Sequence, residues 1–259
     1  MVRLLHHGEE PVVVHACVTG GRVRINARSG SALGAAWGID RIRFALSLDH
    51  DLAPFRRRFR FDPLIGPEIR RRPWLRWRRT PLPFEALAWA ITEQLIETER
   101  AFAIQRRLVY RYGRSLDGDL RDSPTPECLA SRSAPELEAC DLAHARSLAL
   151  IRCAREVELG RVDLSEHEPA WARLERIPEI GSWTLARLAV HGQGRDDQLP
   201  AGDLAFVKLV GHLAGLGRRA TVEEVREFFE PYCEFAALAG LYALGAQPRM
   251  APRAQARRF

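Results

Sequence analysis

The hydrophobic period of this chain changes once, near residue 80, and that change limits the folds open to it. Before it, Val12-Val13-Val14-His15-Ala16-Cys17-Val18 leads through a Thr19-Gly20-Gly21 turn into Arg22-Val23-Arg24-Ile25-Asn26-Ala27, which alternates strictly. That is the pattern of a β-hairpin with one face buried. Ile42, Phe44, Leu46 and Leu48 alternate too, but so short a run fits a strand or a helix. After Thr80-Pro81-Leu82-Pro83, apolar residues from Phe84 and Leu87 through Ile91, Leu95, Phe102 and Leu108 recur near 3.6 residues as far as Gly113, and everything downstream reads as helical. Ser133 with Glu136 and Thr221 with Glu224 have capping-box spacing, and Gly160, Gly192 and Gly245 mark expected helix ends. The expected fold is therefore α+β, with a small N-terminal sheet-containing domain and linker over residues 1–75. An all-helical body follows over 76–246, and a basic disordered tail rich in arginine over 247–259.

Between Phe55 and Arg79 the chain is dense in arginine, with prolines, Trp74 and Trp77 interspersed. It reads as a solvated connector whose tryptophans pack on a neighbour, with direct phosphate contact as the other reading. With 46% apolar residues in 259, the chain can bury a core without staples. Five scattered cysteines, with no CxxC pair, fit neither a disulfide framework nor a zinc or iron–sulfur site. No apolar run approaches the roughly 20 residues of a membrane helix. The expectation is a cytoplasmic monomer that does not bind membranes. A net charge of +6 favours a polyanionic partner.

Two segments carry chemistry. Leu174-Glu175-Arg176-Ile177-Pro178-Glu179-Ile180-Gly181-Ser182-Trp183-Thr184-Leu185-Ala186 reads as helix, tight apolar-anchored turn, helix. Backbone amides at such a turn can grip a phosphate without side-chain charge; by itself, though, the segment reads first as an ordinary αα-hairpin with Ile177 and Ile180 in a core. Downstream, Asp203 opens an apolar-periodic helix after Leu199-Pro200. By itself it is a good N-cap; beside DNA the same carboxylate could stabilise a positively charged sugar.

Together with Phe84 to Ile96, these blocks resemble the helix-hairpin-helix DNA glycosylases, and within them the 3-methyladenine DNA glycosylase II branch. The resemblance covers roughly Thr80 to Gly245; the N-terminal part is similar to the family's small α/β domain only in outline. It implies a base-excision enzyme that cuts the N-glycosidic bond of alkylated purines in double-stranded DNA. Asp203 falls on the catalytic aspartate, Trp183 on an aromatic residue beside the base pocket, and Leu95 on the wedge that fills the duplex, with Gln94 as its polar neighbour. The amides of Glu179 and Gly181 match phosphate-binding positions. The carbonyls of Glu175, Ile177 and Ile180 match positions that hold a monovalent cation, so the resemblance implies no cofactor beyond a structural Na⁺ or K⁺ at the hairpin. In the bifunctional branch a lysine stands where this chain has Trp183, which implies a monofunctional enzyme without lyase activity.

Three residues depart from the pattern. Glu179 replaces a common glycine and would place a carboxylate near the phosphate; Arg187 and Leu241 stand where some relatives carry a pocket tyrosine and tryptophan. Two other readings use the same residues: a non-catalytic helix-hairpin-helix module recognising damaged or bent DNA, and a structural helical domain that binds protein.

Overall fold

The computed structural model describes residues 1–117 and 120–246. The tail expected over 247–259 lies outside the described residues. Two compact units, each discontinuous in sequence, make up the chain: residues 1–49 with 78–195, and residues 50–77 with 196 onward. The segment expected as one N-terminal domain, residues 1–75, thus contributes to both.

In the first unit, β1 (Val2–His7), β2 (Glu10–Thr19) and β3 (Arg22–Arg28) form an antiparallel sheet in that order. Gly20 and Gly21, at φ +59° and +73°, make the two-residue turn that closes the Thr19–Arg22 pair, a conformation that suits the twist of paired strands. Val12, Val14 and Ala16 point to one face and pack with Ile42 of α1 (Ala32–Ala45). The ambiguous run at Ile42 is therefore helical up to Ala45, with Ser31 as its N-cap. Buried carboxylates tie the sheet to the helices behind it. Glu85 accepts from Arg3, Trp89 and Ser123, and Asp122 from His6.

Helices α4 (Pro83–Glu93), α5 (Thr98–Tyr112), α6 (Pro126–Ala130), α7 (Ala134–Glu138), α8 (His144–Glu158), α9 (His167–Leu174) and α10 (Ser182–Leu188) pack around the large core of this unit. The capping box at Ser133 and Glu136 is present. Two expectations fail here. The body is not wholly helical, since Ser115–Leu116 and Leu120–Arg121 pair as a short ladder, β4 and β5. Gly192 does not end a helix but lies inside a wide turn, Ala189–Gln193, that continues α10; a Cβ there would stand 2.7 Å from that of Ala86, so glycine permits close approach to α4. The stop falls at Gly194, φ +75°.

In the second unit, α2 (Ala53–Phe59) and α3 (Gly66–Arg71) arise from the stretch expected to be a connector. Phe55, Phe59, Ile65 and Ile69 recur at helical spacing and are buried with Phe206, Phe229 and Tyr242, among α11 (Leu204–Leu213), α12 (Val222–Phe229) and α13 (Ala236–Ala246). Arginines hide this pattern in sequence because several turn back to protein acceptors: Arg71 and Arg72 pair with buried Glu68, and Arg58 with Glu234. Trp77 packs in this unit and donates to the Ala237 carbonyl at 2.9 Å, while Trp74 is exposed. The Thr221–Glu224 capping box opens α12. Gly245, an expected helix end, is the penultimate residue of α13 as described, and a Cβ there would meet the Arg72 guanidinium.

Candidate active site

The turn between α9 and α10 is built by successive backbone bonds, Ile177 N–H to the Leu174 carbonyl at 2.9 Å and Ile180 N–H to the Ile177 carbonyl at 3.1 Å. Ile177 and Ile180 bury their side chains in the core and fix the turn from below. Glu179 is exposed at its tip with φ +74°, a conformation that glycine adopts without strain and glutamate does not. Gly181 follows as the extended N-cap of α10; it has no side chain to cap the first amides, and a Cβ built on it meets nothing within 4 Å. These amides thus begin a helix at an open, exposed turn, where anions are favoured.

A second loop is locked to this turn. Gln94, just past α4, donates through Nε2 to the Glu179 carbonyl and to Oγ1 of buried Thr184, both at 2.8 Å. The Gln94 carbonyl accepts from Arg146 of α8 at 2.7 Å. Leu95 follows at φ +51° with its side chain fully exposed, the most exposed large apolar residue described. A left-handed leucine in solvent costs about 1 to 2 kcal/mol of backbone strain and gains nothing from burial. Sequence reading placed Gln94 beside the wedge but not its amide against the hairpin. Arg146 and Thr184 were missed, because nothing in their local sequence marks them.

Arg146 also answers the difficulty at Glu179. Burial pushes the Arg146 guanidinium down from its ordinary value, aided by the charge of Arg100, while the Glu179 carboxylate pushes back. The Glu179 charge is therefore within electrostatic reach of the Arg146 guanidinium.

Trp183, half-buried on the first turn of α10, lies under the Arg187 guanidinium, 5.7 Å from ring centroid to Cζ. Arg187 pairs with Glu93 at 2.5 Å, so the residue that departs from the family pattern is a neutralised cation. The carbonyls of Glu175, Ile177 and Ile180 lie along the turn. Among the described residues no group of three or more His, Cys, Asp or Glu could hold a metal ion. The oxygens offered at the turn are backbone carbonyls, and that of Ile177 already accepts from the Ile180 N–H at 3.1 Å.

Asp203 belongs to the second unit. Backbone bonds from Ala201 N–H to Leu199 and from Asp203 N–H to Pro200 shape the approach. Asp203 is the N-cap of α11, φ −65° and ψ 136°, and Oδ1 accepts from the Ala205 N–H at 2.9 Å. The aligned helix dipole favours its negative charge. Lys208, on the same helix, is the only lysine in the chain. Leu241 lies in α13, partly buried against the core of this unit.

A family model described as "HhH-GPD superfamily base excision DNA repair protein" matches residues 88–235, more than half of the chain. The chain belongs to this superfamily. The matched span includes the Gln94–Leu95 loop, the hairpin turn and Asp203. Among relatives, the DNA-3-methyladenine glycosylase of Bacillus subtilis is 27% identical over 203 residues, 75% of this chain and 67% of that protein. DNA-3-methyladenine glycosylase 1 of Schizosaccharomyces pombe is 28% identical over 130 residues, 48% of this chain and 54% of that protein. The matched stretches thus span from about half to two thirds of these relatives. In fold, the chain is similar to a 3-methyladenine DNA-glycosylase from Archaeoglobus fulgidus, with TM-score 0.79 and 22% identity, covering 94% of this chain and 84% of that one. The family match covers the helical body, and the likeness in fold extends over nearly the whole chain, small N-terminal sheet followed by helices. No helix among the described residues is long and apolar enough to cross a membrane.

Proposed function

We propose that this HhH-GPD protein is a monofunctional DNA glycosylase that removes alkylated purines, 3-methyladenine among them, from double-stranded DNA. The observation that carries this reading is Leu95: exposed, apolar, strained, and hydrogen-bonded through its neighbour to the hairpin turn. A surface leucine held in that conformation has no packing role; a gap left by an extruded nucleotide supplies one. The names of the two glycosylase relatives support the substrate class.

On this reading the Glu179 and Gly181 amides hold a strand phosphate, Leu95 enters the stack, and Trp183 faces the extruded base. The carbonyls of Glu175, Ile177 and Ile180 would hold a monovalent cation, whose charge favours the phosphate. The reaction is hydrolysis. The bond from C1′ to the base nitrogen breaks with its electron pair going to the base, and water adds to C1′ with loss of a proton. An alkylated purine carries a ring charge and leaves as a neutral base, so no general acid is needed. Asp203 stabilises the positive charge that builds on the sugar. A carboxylate at about 4 Å contributes on the order of 4 kcal/mol at an effective dielectric near 20, roughly a thousandfold in rate.

Strand cleavage through a Schiff base needs a side-chain amine, and Trp183 occupies the hairpin position that a lysine would need. The chain offers one lysine, Lys208. Incubation with methylated DNA tests the reading: free 3-methyladenine or 7-methylguanine should appear in solution. Duplex binding without any released base would contradict it.

A further inference from the structure

In the first unit, a cavity of about 430 Å³ opens beside the hairpin turn. Ile177 and Pro178, which lead into the tip of the turn, line it together with residues from the end of α8 and from α9. Five arginines line it: Arg152, Arg155, Arg161, Arg173 and Arg176. Glu156 is the one carboxylate among the lining residues.

The charges do not cancel. Arg161 and Arg173 share Glu156, and Arg155 donates Nε to the Ala130 carbonyl at 3.0 Å. Arg152 and Arg176 are exposed and make no ion pair or side-chain hydrogen bond among the described residues. Elsewhere arginines do meet a carboxylate each, as Arg218 meets Glu224 and Arg187 meets Glu93. An excess of guanidinium charge in a concave, protein-walled space raises the local potential and selects anions. Guanidinium forks match phosphate oxygens, and Leu159, 56% exposed at the rim, offers the apolar contact that a deoxyribose can use.

We propose that this cavity is a second DNA-backbone site, in which Arg152 and Arg176 bind phosphodiesters of the strand held by the hairpin. The proposal rests on the DNA-binding reading above and extends it. Continuity with the turn selects the ligand. Arg176, Ile177 and Pro178 belong to both features, and successive phosphates of one strand are spaced by only about 3.4 Å along the duplex axis. A strand gripped at Glu179 and Gly181 carries its neighbouring phosphates toward the arginines.

The test is the salt dependence of binding to a duplex bearing an abasic-site analogue, for the wild type and for the double variant Arg152→Ala/Arg176→Ala. Every phosphate that is no longer neutralised should flatten the plot of log affinity against log salt by about 0.9, so the double variant should reduce the slope by roughly 1.8. Arg152→Lys/Arg176→Lys keeps both charges and should keep the wild-type slope, which separates charge from a packing defect. An Ala/Ala variant with the wild-type slope overturns the proposal. If that variant and the wild type still release methylated bases, the glycosylase reading stands while the second site falls. A wild-type protein with no salt-sensitive affinity overturns both.

Discussion

Leu95 and Asp203 both stand at helix ends, and the two ends are built in opposite ways. Leu95 follows the C-terminus of α4 in a left-handed conformation with its side chain in solvent. Asp203 opens α11 with relaxed backbone angles, and its carboxylate accepts from an amide of its own helix. One residue violates the rules of stable folding and the other obeys them. A violation points to function by itself, because nothing structural explains it. Asp203 has a structural explanation as a cap, so the catalytic role proposed for it must be separated from capping by experiment.

The largest effect comes from Asp203→Asn. Asparagine caps helices about as well as aspartate, so the melting temperature should hardly move, while excision falls roughly a thousandfold. Binding to an abasic-site analogue should persist. Equal turnover by the variant would make Asp203 a cap and nothing more. Leu95→Ala inverts the pattern. It removes no buried surface, so stability is unchanged, but excision from paired duplex should fall by about 2 kcal/mol, roughly thirtyfold. Single-stranded or mismatched substrates should suffer less, and a uniform loss would mean that Leu95 does not act as a wedge.

Acid should then act on the unit that carries the hairpin. Burial and the charges of Arg187 and Arg79 push His191 down to about 4, against the opposing pull of the Arg78 carbonyl. Below its unfolded value of 6.5 the unfolded chain binds a proton that the native unit refuses. Stability is therefore full above pH 6.5 and declines as pH falls toward 4, by on the order of 2 kcal/mol after allowance for partial exposure. His191→Gln should flatten the dependence of unfolding free energy on pH in that window; an unaltered slope would remove His191 as its cause. The smallest effect is at the hairpin tip. Glu179→Gly relieves a left-handed glutamate and should stabilise by about 1 kcal/mol. It also removes a carboxylate near the strand, so DNA affinity should rise a few-fold, and a fall would show that Glu179 helps through Arg146.

Periodic and capping signals were legible in sequence: the Gly20-Gly21 hairpin, the boxes at Ser133 and Thr221, and Asp203 as a cap each depend on a few adjacent residues. Helices α2 and α3 were not, because the anchors Phe55, Phe59, Ile65 and Ile69 are interleaved with prolines and with arginines, of which Arg71 and Arg72 pair with Glu68. Gly192 misled because a glycine needed for close approach looks like one that ends a helix. At the site, the residue types could be named but not their conformations. Nothing in the letters Leu95 and Glu179 announces a positive φ, and the bond from Gln94 to Glu179 joins positions 85 residues apart. The arginine cavity was equally invisible, since α8 and the hairpin contribute to it from separate stretches.

The most direct test of a monofunctional enzyme is to follow one end-labelled duplex carrying a single alkylated purine, scoring released base and strand breaks in the same reaction. Base should be released while the strand stays whole until alkali is added, and borohydride should trap no protein on the DNA. Strand cleavage without alkali, with an adduct that disappears in Lys208→Ala, would contradict the account.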